Sequence, residues 1–350
     1  MPSVAPDPKR LPANAPLVSD VAWDTRLQSF PDATFFHTSA WLNVLQATYG
    51  FEPHHVVLDG RQNGLLPIVE IDSWLTGRRG ASLPFTDECT ALADNPETRE
   101  ALIQAGQQLC RKREWRYWDY RGGRDAWPDA TPAVSYYQHT LRLTPDTDSL
   151  FRQCESSTRT AVRKAEAAGV TIEFSNTPAT TTDFYKLVGI TRRRQGLPPQ
   201  PASFFDHIHQ HVLAPKLGTL VLAQVNGKPA AGALFFQFRN TVIYKFGASD
   251  ESFQEVRPNN LVMWRAIEHF ARAGFEVLNF GRTSLANAGL RRFKRAWGAQ
   301  ESMLEYVRWS PRHGYQTDAD RASGWHTRIF RALPSSLSRL IGAVAYKHIA

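Results

Sequence analysis

The chain has 350 residues, of which 42% are hydrophobic and 21% are charged. This composition excludes a disordered protein and leaves room for one large or two medium domains with a proper core. The net charge of +8 favours an anionic partner, and it leaves nucleic acid, a phosphorylated substrate and a membrane surface open.

The N-terminal segment and the cysteines bear on location. Residues 1–20 begin MPSVAPDPKRLPANAPL, a Pro-rich stretch that we predict to be flexible and not a signal peptide. Cys89, Cys110 and Cys154 form no CxxC pair, which disfavours a disulfide framework and a thiolate metal site. Because no stretch reaches the ~20 apolar residues of a membrane span, we expect a cytoplasmic protein.

The first half of the chain predicts a hairpin, a helix and a strand. VVLDGRQNGLLPIVEID, from position 56, has two apolar runs broken by glycines. The helical segment ETREALIQAGQQLCRKR follows, and then the aromatic strand WRYWDYRGG.

The middle of the chain predicts two more helices. One of the hydroxyl residues at 156–158 can cap a helix that runs to about Ala168 and stops at Gly169, with a strand after it. TTDFYKLVGITRRRQG predicts the second helix, and the prolines of the following LPPQPASFF predict an irregular loop.

The second half repeats the order of the first. LVLAQVNGKPAAGALFFQF, from position 220, carries Asn226-Gly227 between apolar runs, which is a strong hairpin signal. A helix follows in NNLVMWRAIEHFARAG, with an apolar stripe at three- and four-residue steps, and then the strand FEVLNFGRT. The repeated order predicts an internal duplication, and the alternative is a chance similarity of common hairpins.

The segment GLRRFKRAWGA, residues 289–299, is both basic and aromatic. A solvent-facing helix would not need Phe293 and Trp297, and a core helix would not carry four cations. We interpret the segment as holding a negative charge in a partly apolar pocket; the alternative is a basic element that lies over the core with its aromatic residues inward.

Six segments, in their order and spacing, resemble the Fem family: RTAVRKAEAAGV, TRRRQG, YKFGAS, RPNNLVMWRAIEHFARAG, NFGRT and GLRRFKRAWGA. That family contains peptidoglycan bridge aminoacyltransferases and Gram-negative relatives, some of them associated with exopolysaccharide, and belongs to the acetyltransferase-like (GNAT) superfamily. The resemblance implies an α/β (α+β) fold of tandem GNAT-like domains, with mixed central sheets flanked by helices. We assign residues 21–150 to the first domain, 151–310 to the second and 311–350 to a C-terminal helical tail.

The resemblance also implies a function: transfer of an acyl or aminoacyl group to an amine, without a metal or a tightly bound cofactor. The donor is an acyl-CoA or an aminoacyl-tRNA, and the acceptor belongs to a cell-envelope or polysaccharide precursor. The long helical arm of several tRNA-using members is absent between Gly169 and Leu290, which weakens the case for tRNA. The alternatives are a nucleic-acid-binding protein, prompted by the charge, and a non-catalytic relative that binds a polymer.

Motifs of other enzyme classes are absent from the sequence. It contains no GxSxG, HExxH, P-loop or Rossmann glycine motif. The histidine clusters are His54-His55 and His207, His209 and His211, without a carboxylate at useful spacing. We expect them at the surface or in caps rather than on zinc.

Lys294 is the catalytic candidate. In the Fem family the matching lysine lies by the reacting centre and is proposed to stabilise charge on the acyl carbonyl. A fixed cation beside an oxyanion is worth several kcal/mol in a site without water. We expect Lys294 to be accessible and to reach the same groove as Arg282.

The remaining candidates bind substrate. Arg163 and Lys164 suit a phosphate or carboxylate, with a solvated face paired to Glu166 as the alternative. Arg194 matches an arginine that approaches the acceptor phosphate in the family, although three consecutive arginines cannot all face one ligand. The other four candidates lie in or next to the YKFGAS, RPNN and NFGRT segments: Tyr244, Asn259, Asn260 and Arg282.

Three of these positions carry specific expectations. Either Asn259 or Asn260 can serve as the N-cap of the helix that begins there. In the acetyltransferase-like superfamily, the backbone N–H groups before this helix bind the phosphates of the donor. Family members often have a tyrosine where this chain has Phe246, so a hydroxyl contact is missing there. The C-terminal tail, with its cations and Leu337, Leu340, Ile341 and Val344, either docks on its own domain or contacts the inner face of an anionic membrane.

Overall fold

The structure is a computed structural model that describes residues 20–58, 63–74, 76–123, 130–317, 341–342 and 344–348. It divides into two compact units, one formed by residues 1–135, 304–321 and 345–350, the other by residues 136–303 and 322–344. The predicted boundary after residue 150 falls inside the second unit, because strand β8 (Val134–Arg142) pairs with strand β13 (Val277–Ser284). Of the predicted N-terminal segment, residues 1–19 lie outside the described ranges.

In the described parts of residues 20–135, the first unit has three α-helices, and its strands form two sheets. The helices are α1 (Asp20–Leu27), α2 (Ser39–Tyr49) and α3 (Pro96–Lys112). The small sheet consists of β2 (Val56–Leu58), β3 (Gly64–Leu66) and β6 (Leu92–Ala93). The larger sheet consists of β1 (Glu52–Pro53), β4 (Val69–Ile71), β5 (Arg79–Ala81), β7 (Trp118–Tyr120), the later part of β14 (Gln300–Ser310), and β15 (Gly314–Gln316). In it β5 and β7 run parallel, and the other pairs are antiparallel.

Helix α3 covers the core of the first unit. Asn95 caps it by accepting a hydrogen bond from the Thr98 amide at 2.7 Å, and Pro96 occupies the first turn. Leu102 packs in the same buried cluster as Trp118. A Cβ at Gly106 would lie 2.6 Å from the Trp118 ring, so the helix approaches the sheet as closely as only glycine allows.

The second unit is one six-stranded sheet with helices around it. Its strand order is β8, β13, β12, β11, β10, β9, and its parallel pair is β12 with β13. The remaining strands are β9 (Thr171–Phe174), β10 (Gly218–Val225), β11 (Lys228–Phe238) and β12 (Thr241–Ser249). The helices are α4 (Thr147–Gln153), α5 (Ser156–Ala167), α6 (Pro178–Gln195), α7 (Ala202–Ile208), α8 (Pro258–Arg272) and α9 (Ala288–Arg295).

Local signals in the second unit are largely confirmed. Strands β10 and β11 form the predicted hairpin, and Asn226 and Gly227 both have positive φ, 50° and 72°, as a type I′ turn needs. The apolar stripe of α8 is buried, Trp264 included. Helix α5 ends as predicted, before Gly169 at φ 72°.

Three expectations were wrong. Glu155, not a hydroxyl residue, is the N-cap of α5, and no side chain caps this helix. Helix α7 begins at Ala202 inside LPPQPASFF, because only its first part contains prolines. Residues 314–316 form strand β15 within the predicted helical tail, since β15 pairs with β14.

The described part of the C-terminal tail is helical at residues 341–342 and 344–348. Tyr346 is buried there, whereas Leu337 and Leu340 lie outside the described residues. Among the described residues, we find no helix with the length and apolar character that a membrane span requires.

Candidate active site

The central feature of the second unit is the parallel pair β12 and β13, whose hydrogen bonding stops part-way along the strands. Strands β12 and β13 pair from Thr241 with Val277 to Ile243 with Asn279, and no further, although β12 continues to Ser249. Each strand carries an irregularity just beyond this point: β12 where it faces Leu234 and Phe235 of β11, and β13 between residues 279 and 282. Because a bulge bends its strand, the carboxyl ends diverge and open the sheet.

Two adjoining cavities lie at the carboxyl end of β12, and no residue of β13 lines either of them. The inner one, of about 220 Å³, lies among β11, β12, α6, α8 and α9. The outer one, of about 660 Å³, lies between residues 249–260 and the start of α9. Arg194, Ser249, Asn259 and Phe293 line both, so the two cavities form neighbouring compartments of one cleft.

The N-terminus of α8 forms one wall of the outer cavity. Its N-cap is Arg257, at φ 59°, which corrects the expectation that Asn259 or Asn260 caps the helix. Pro258 follows at the first helical position, and no side chain caps the turn. Pro258, Asn259 and Asn260 line the cavity, so the positive end of the helix dipole faces it.

The outer cavity carries charges of both signs. Arg194, Arg257 and Glu251 line it with exposed side chains, and Asp250 lines it with a half-buried one. The Asp250 carboxylate accepts a hydrogen bond from the Ser252 amide at 2.9 Å, which caps the short helical turn after β12. The cleft is therefore polar and mixed in charge rather than uniformly basic.

Arg194 reaches the cleft because α6 is fixed to the end of β12. The Thr191 hydroxyl accepts a hydrogen bond from the Ser249 amide at 2.8 Å and donates to the Ser249 carbonyl at 3.0 Å. This buried link holds the last turn of α6 beside β12. Of the three consecutive arginines, Arg194 lines both cavities, and Arg192 and Arg193 line neither.

Tyr244 supplies a hydroxyl to the inner cavity. Its side chain is half-buried, and burial raises the pKa of the phenol to about 12, so the hydroxyl stays protonated at neutral pH. Among the described residues it has no hydrogen-bond partner, and its oxygen lies directly over Gly247, where a Cβ would be 1.8 Å away. Phe246 packs against Phe204, with ring centroids 5.9 Å apart.

Lys294 is buried, which corrects the expectation of an accessible side chain. Only 2% of it is exposed, and it lines neither cavity. Its ammonium donates hydrogen bonds to the carbonyl oxygens of Gly281, at 2.9 Å, and Arg282, at 3.0 Å. The positive charge of Lys294 is therefore bound to the irregular part of β13, where this strand no longer pairs with β12.

Phe293 and Trp297, the two aromatic residues of the 289–299 segment, lie in different surroundings. Phe293 lines both cavities, whereas Trp297 is buried in the core of the second unit. Their rings meet edge to face with centroids 6.1 Å apart. The Asn287 side chain caps α9 by accepting from the Leu290 amide at 3.0 Å.

A charged network that the sequence analysis did not identify lies beside Lys294. His139, fully buried on β8, contacts Glu301 through Nε2 at 3.0 Å. The Glu301 carboxylate also accepts two hydrogen bonds from Arg291, at 2.7 and 2.6 Å. Burial and the positive charge of Lys294 lower the pKa of His139, whereas the hydrogen bonds from Arg291 hold the pKa of Glu301 below its usual value. A separation of 162 residues between His139 and Glu301 leaves no local signal.

Comparison with known proteins identifies one domain of the chain and the kind of fold that it has. Residues 152–295 match the family model for the acetyltransferase (GNAT) domain. The fold is similar to the crystal structure of FemX, with a TM-score of 0.67 and 15% identity over 86% of this chain and 97% of that one. Residues 152–295 therefore carry an acetyltransferase (GNAT) domain, and the fold of the whole chain is similar to that of FemX.

Two further solved structures are similar in fold to this chain. One is the C-terminal domain of a putative lysylphosphatidylglycerol synthetase from Agrobacterium fabrum, with a TM-score of 0.57 and 12% identity over 92% of this chain and 97% of that one. The other is a tandem GNAT protein from the clavulanic acid biosynthesis pathway, with a TM-score of 0.54 and 12% identity over 86% and 97%. They confirm the predicted tandem fold. No curated protein sequence matches the chain.

Three predicted binding residues of this acyltransferase lie away from the two cavities. Arg163 is exposed, 5.7 Å over the ring of Phe151, and Lys164 is exposed beside it. Glu166, their expected partner, pairs instead with Arg265 at 2.8 Å. The Arg282 guanidinium stacks 4.7 Å over Tyr136, so only its carbonyl joins the Lys294 site. The cleft thus gathers four of the eight candidates: Arg194, Tyr244, Asn259 and Asn260.

The histidines were partly misplaced. His54 and His55 are buried in the first unit, not at the surface. His54 lies near Glu52 and Glu70 in a group with the spacing of metal ligands. The Glu70 carboxylate, however, already accepts from Arg113 at 2.9 Å and from Trp115 at 2.6 Å. The Glu70 carboxylate therefore belongs to an ion-pair network of the first unit.

Proposed function

We propose that the protein is an N-acyltransferase that moves an acyl or aminoacyl group from an activated donor to an amine of a cell-envelope or polysaccharide precursor. The donor is an acyl-CoA or an aminoacyl-tRNA. The observation that carries the proposal is the cleft at the carboxyl end of β12, beyond the point where β12 and β13 stop pairing. In open α/β sheets, ligands bind outside the carboxyl ends of the strands, where the chain order leaves a crevice.

The two compartments suit the two parts of such a donor. The outer cavity offers Arg194, Arg257 and the N-terminus of α8 to phosphate groups. The inner cavity is narrower and lies beside Phe293, Val262 and Met263, which suits an acyl end. We place the reacting carbonyl at the inner cavity, next to the Tyr244 hydroxyl.

The chemical step is an addition followed by an elimination. The acceptor nitrogen attacks the acyl carbon and forms the new C–N bond, and the carbonyl oxygen becomes an oxyanion. The bond from carbon to the donor sulfur or oxygen then breaks, and the leaving group takes up the proton that the amine loses. Tyr244 donates to the oxyanion in this proposal, because its hydroxyl stays protonated and has no partner among the described residues.

Lys294 has an indirect part in this proposal. Its ammonium holds the Gly281 and Arg282 carbonyls, and with them the strand that forms the far side of the opening. We therefore assign it as a positioning residue, with Arg194, Asn259 and Asn260 as donor-binding residues.

Arg194 and its neighbour provide a matched test. Purified protein is assayed by mass spectrometry with a panel of acyl-CoA thioesters and, separately, with charged tRNAs, each with amine acceptors. Arg194→Gln should raise the KM for the donor about tenfold or more, since a charge-assisted contact is worth roughly 1.5–3 kcal/mol. Arg193→Gln, exposed on the same turn but outside both cavities, should leave KM unchanged.

Two outcomes would count against the function. Absence of transfer from both donor classes, together with absence of a thermal shift with either, contradicts the proposed activity. Equal effects of the Arg193 and Arg194 substitutions would show that general charge, and not the cleft, binds the donor.

A further inference from the structure

The first unit has a large cavity of its own, outside the region that matches the acetyltransferase family. Its volume is about 720 Å³, and residues 111–117 and 311–316 line it. The cavity lies at the end of α3, before β7, and at the turn between β14 and β15. Three arginines reach it from these separate segments: Arg111, Arg116 and Arg312.

These arginines differ from their neighbours in having no carboxylate partner. Nearby, Arg113 pairs with Glu70 at 2.9 Å, and Arg308 pairs with Asp119 at 2.6 Å. The three cavity arginines make no ion pair with any residue in the described ranges, and their side chains are exposed. Their charges are therefore available to a ligand.

Two of the three guanidinium groups are held in place. Arg111 lies 5.0 Å over the ring of Trp309. Arg116 crosses Gly77, where a Cβ would lie 2.6 Å from its Cδ, and donates to the Thr76 carbonyl at 3.2 Å. Side chains ordered before binding lose less conformational entropy when a ligand arrives.

The carbonyl oxygens at the C-terminus of α3 do not repel an anion bound in this cavity. The last carbonyl oxygens of a helix carry partial negative charge, which would repel a phosphate. Three of them are already bonded within the chain: Leu109 to the Arg113 amide at 2.9 Å, Cys110 to the Trp115 amide at 3.0 Å, and Arg111 to the Glu114 amide at 3.1 Å. The arginine side chains thus set the local charge.

We propose that this cavity binds a soluble phosphomonoester. Among its described lining residues, three arginines and Glu114 give 3 − 1 = +2, with His313 neutral. A phosphomonoester carries about −1.5 to −2 at neutral pH, so it matches this charge, whereas a carboxylate or a phosphodiester leaves part of it uncompensated. The volume also falls within the usual range for small-molecule sites, roughly 300–1,000 Å³. The proposal is independent of the acyl-transfer cleft.

Calorimetric titration of the full chain with phenyl phosphate at low ionic strength tests the site. The wild type should bind it, and bind dimethyl phosphate, a monoanion, more weakly. Arg111→Gln/Arg312→Gln should raise the Kd for phenyl phosphate about a hundredfold, roughly tenfold for each lost charge-assisted contact. Arg142→Gln/Lys228→Gln removes the same charge from exposed positions of the second unit and should leave the Kd nearly unchanged.

A second variant separates this cavity from the cleft. Arg194→Gln/Arg257→Gln alters the outer compartment and should retain phenyl phosphate binding in the first unit. Protection from phenylglyoxal, read by mass spectrometry, should fall on peptides 111–117 and 311–316. Absence of binding, equal loss in the control variant, loss in the cleft variant alone, or equal affinity for dimethyl phosphate would each overturn the proposal.

Discussion

At the residue scale, the Tyr244 hydroxyl is the donor that the proposed reaction needs. Tyr244→Phe removes only this hydroxyl, so the fold should keep its stability while turnover falls by about 10²-fold, the usual loss for one oxyanion donor. Single-turnover rates with saturating donor measure the effect. A variant that turns over as fast as the wild type would remove Tyr244 from the mechanism.

Lys294 leads to a different expectation, because it is buried and bonded to two carbonyl oxygens. Lys294→Met leaves both carbonyls without this donor and should lower the free energy of unfolding by about 2 kcal/mol, with a loss of turnover beside it. Urea unfolding and single-turnover rates are compared with Arg295→Met, an exposed neighbour on α9. Loss of turnover with unchanged stability would favour direct stabilisation of the acyl oxyanion instead.

The sequence could indicate these residue types but not their surroundings. The basic and aromatic segment pointed to Lys294. The burial of the Lys294 side chain, however, depends on the bulge at Gly281, which no local sequence pattern predicts. His139 and Glu301 were missed because they meet only through the tertiary fold. The family resemblance singled out Arg194 among the three arginines, but its place in the cleft depends on how Thr191 fixes α6 against β12.

At the element scale, the inner cavity depends on Gly247 of strand β12, because the absence of a side chain there leaves space for the Tyr244 ring. A Cβ at Gly247 would lie 1.8 Å from the Tyr244 oxygen, so Gly247→Ala must displace the Tyr244 ring. We expect donor KM to rise about tenfold, with a fall in turnover, because the displaced ring narrows the cavity and moves the hydroxyl. Steady-state kinetics with varied donor concentration test this.

Gly189→Ala is the matched control for this change. It adds the same methyl group within α6, where an added Cβ meets nothing within 4 Å. It should raise stability slightly, since alanine favours helix by about 1 kcal/mol over glycine, and leave the kinetics unchanged. Equal kinetic effects of the two alanines would show that the Gly247 site has no special role.

Elements with local signals were predictable, and those set by distant partners were not. The hairpin at Asn226-Gly227 and helix α8 follow from turn chemistry and periodicity. Strand β14 begins among residues of the second unit and ends among those of the first, a division that no composition change marks. The parting of β12 and β13 likewise depends on bulges and on pairing with β11 and β8.

At the scale of the whole molecule, two buried histidines make stability depend on pH. His37 is fully buried. Its Nδ1 accepts a hydrogen bond from the Thr34 amide at 3.0 Å, and its Nε2 lies 3.0 Å from the Thr90 carbonyl oxygen. Burial lowers the pKa of His37 to about 4 and the pKa of His55 to about 3. Both lie well below the value of about 6.5 for an unfolded chain.

The sign of the effect follows from proton linkage. Between pH 6.5 and about 4, the unfolded chain binds a proton at each histidine that the folded chain does not, so acid favours unfolding. From pH 7 to pH 5 the two groups together should lower the free energy of unfolding by about 4 kcal/mol, nearly half of it from each. Urea unfolding at intervals of half a pH unit, followed by tryptophan fluorescence, measures this slope. His37→Asn and His55→Asn, whatever their own cost in stability, should each reduce the loss between pH 7 and pH 5 by about 2 kcal/mol, because each removes one titrating group. A wild-type free energy that stays level between pH 7 and pH 5 would show that these imidazoles are protonated in the folded protein.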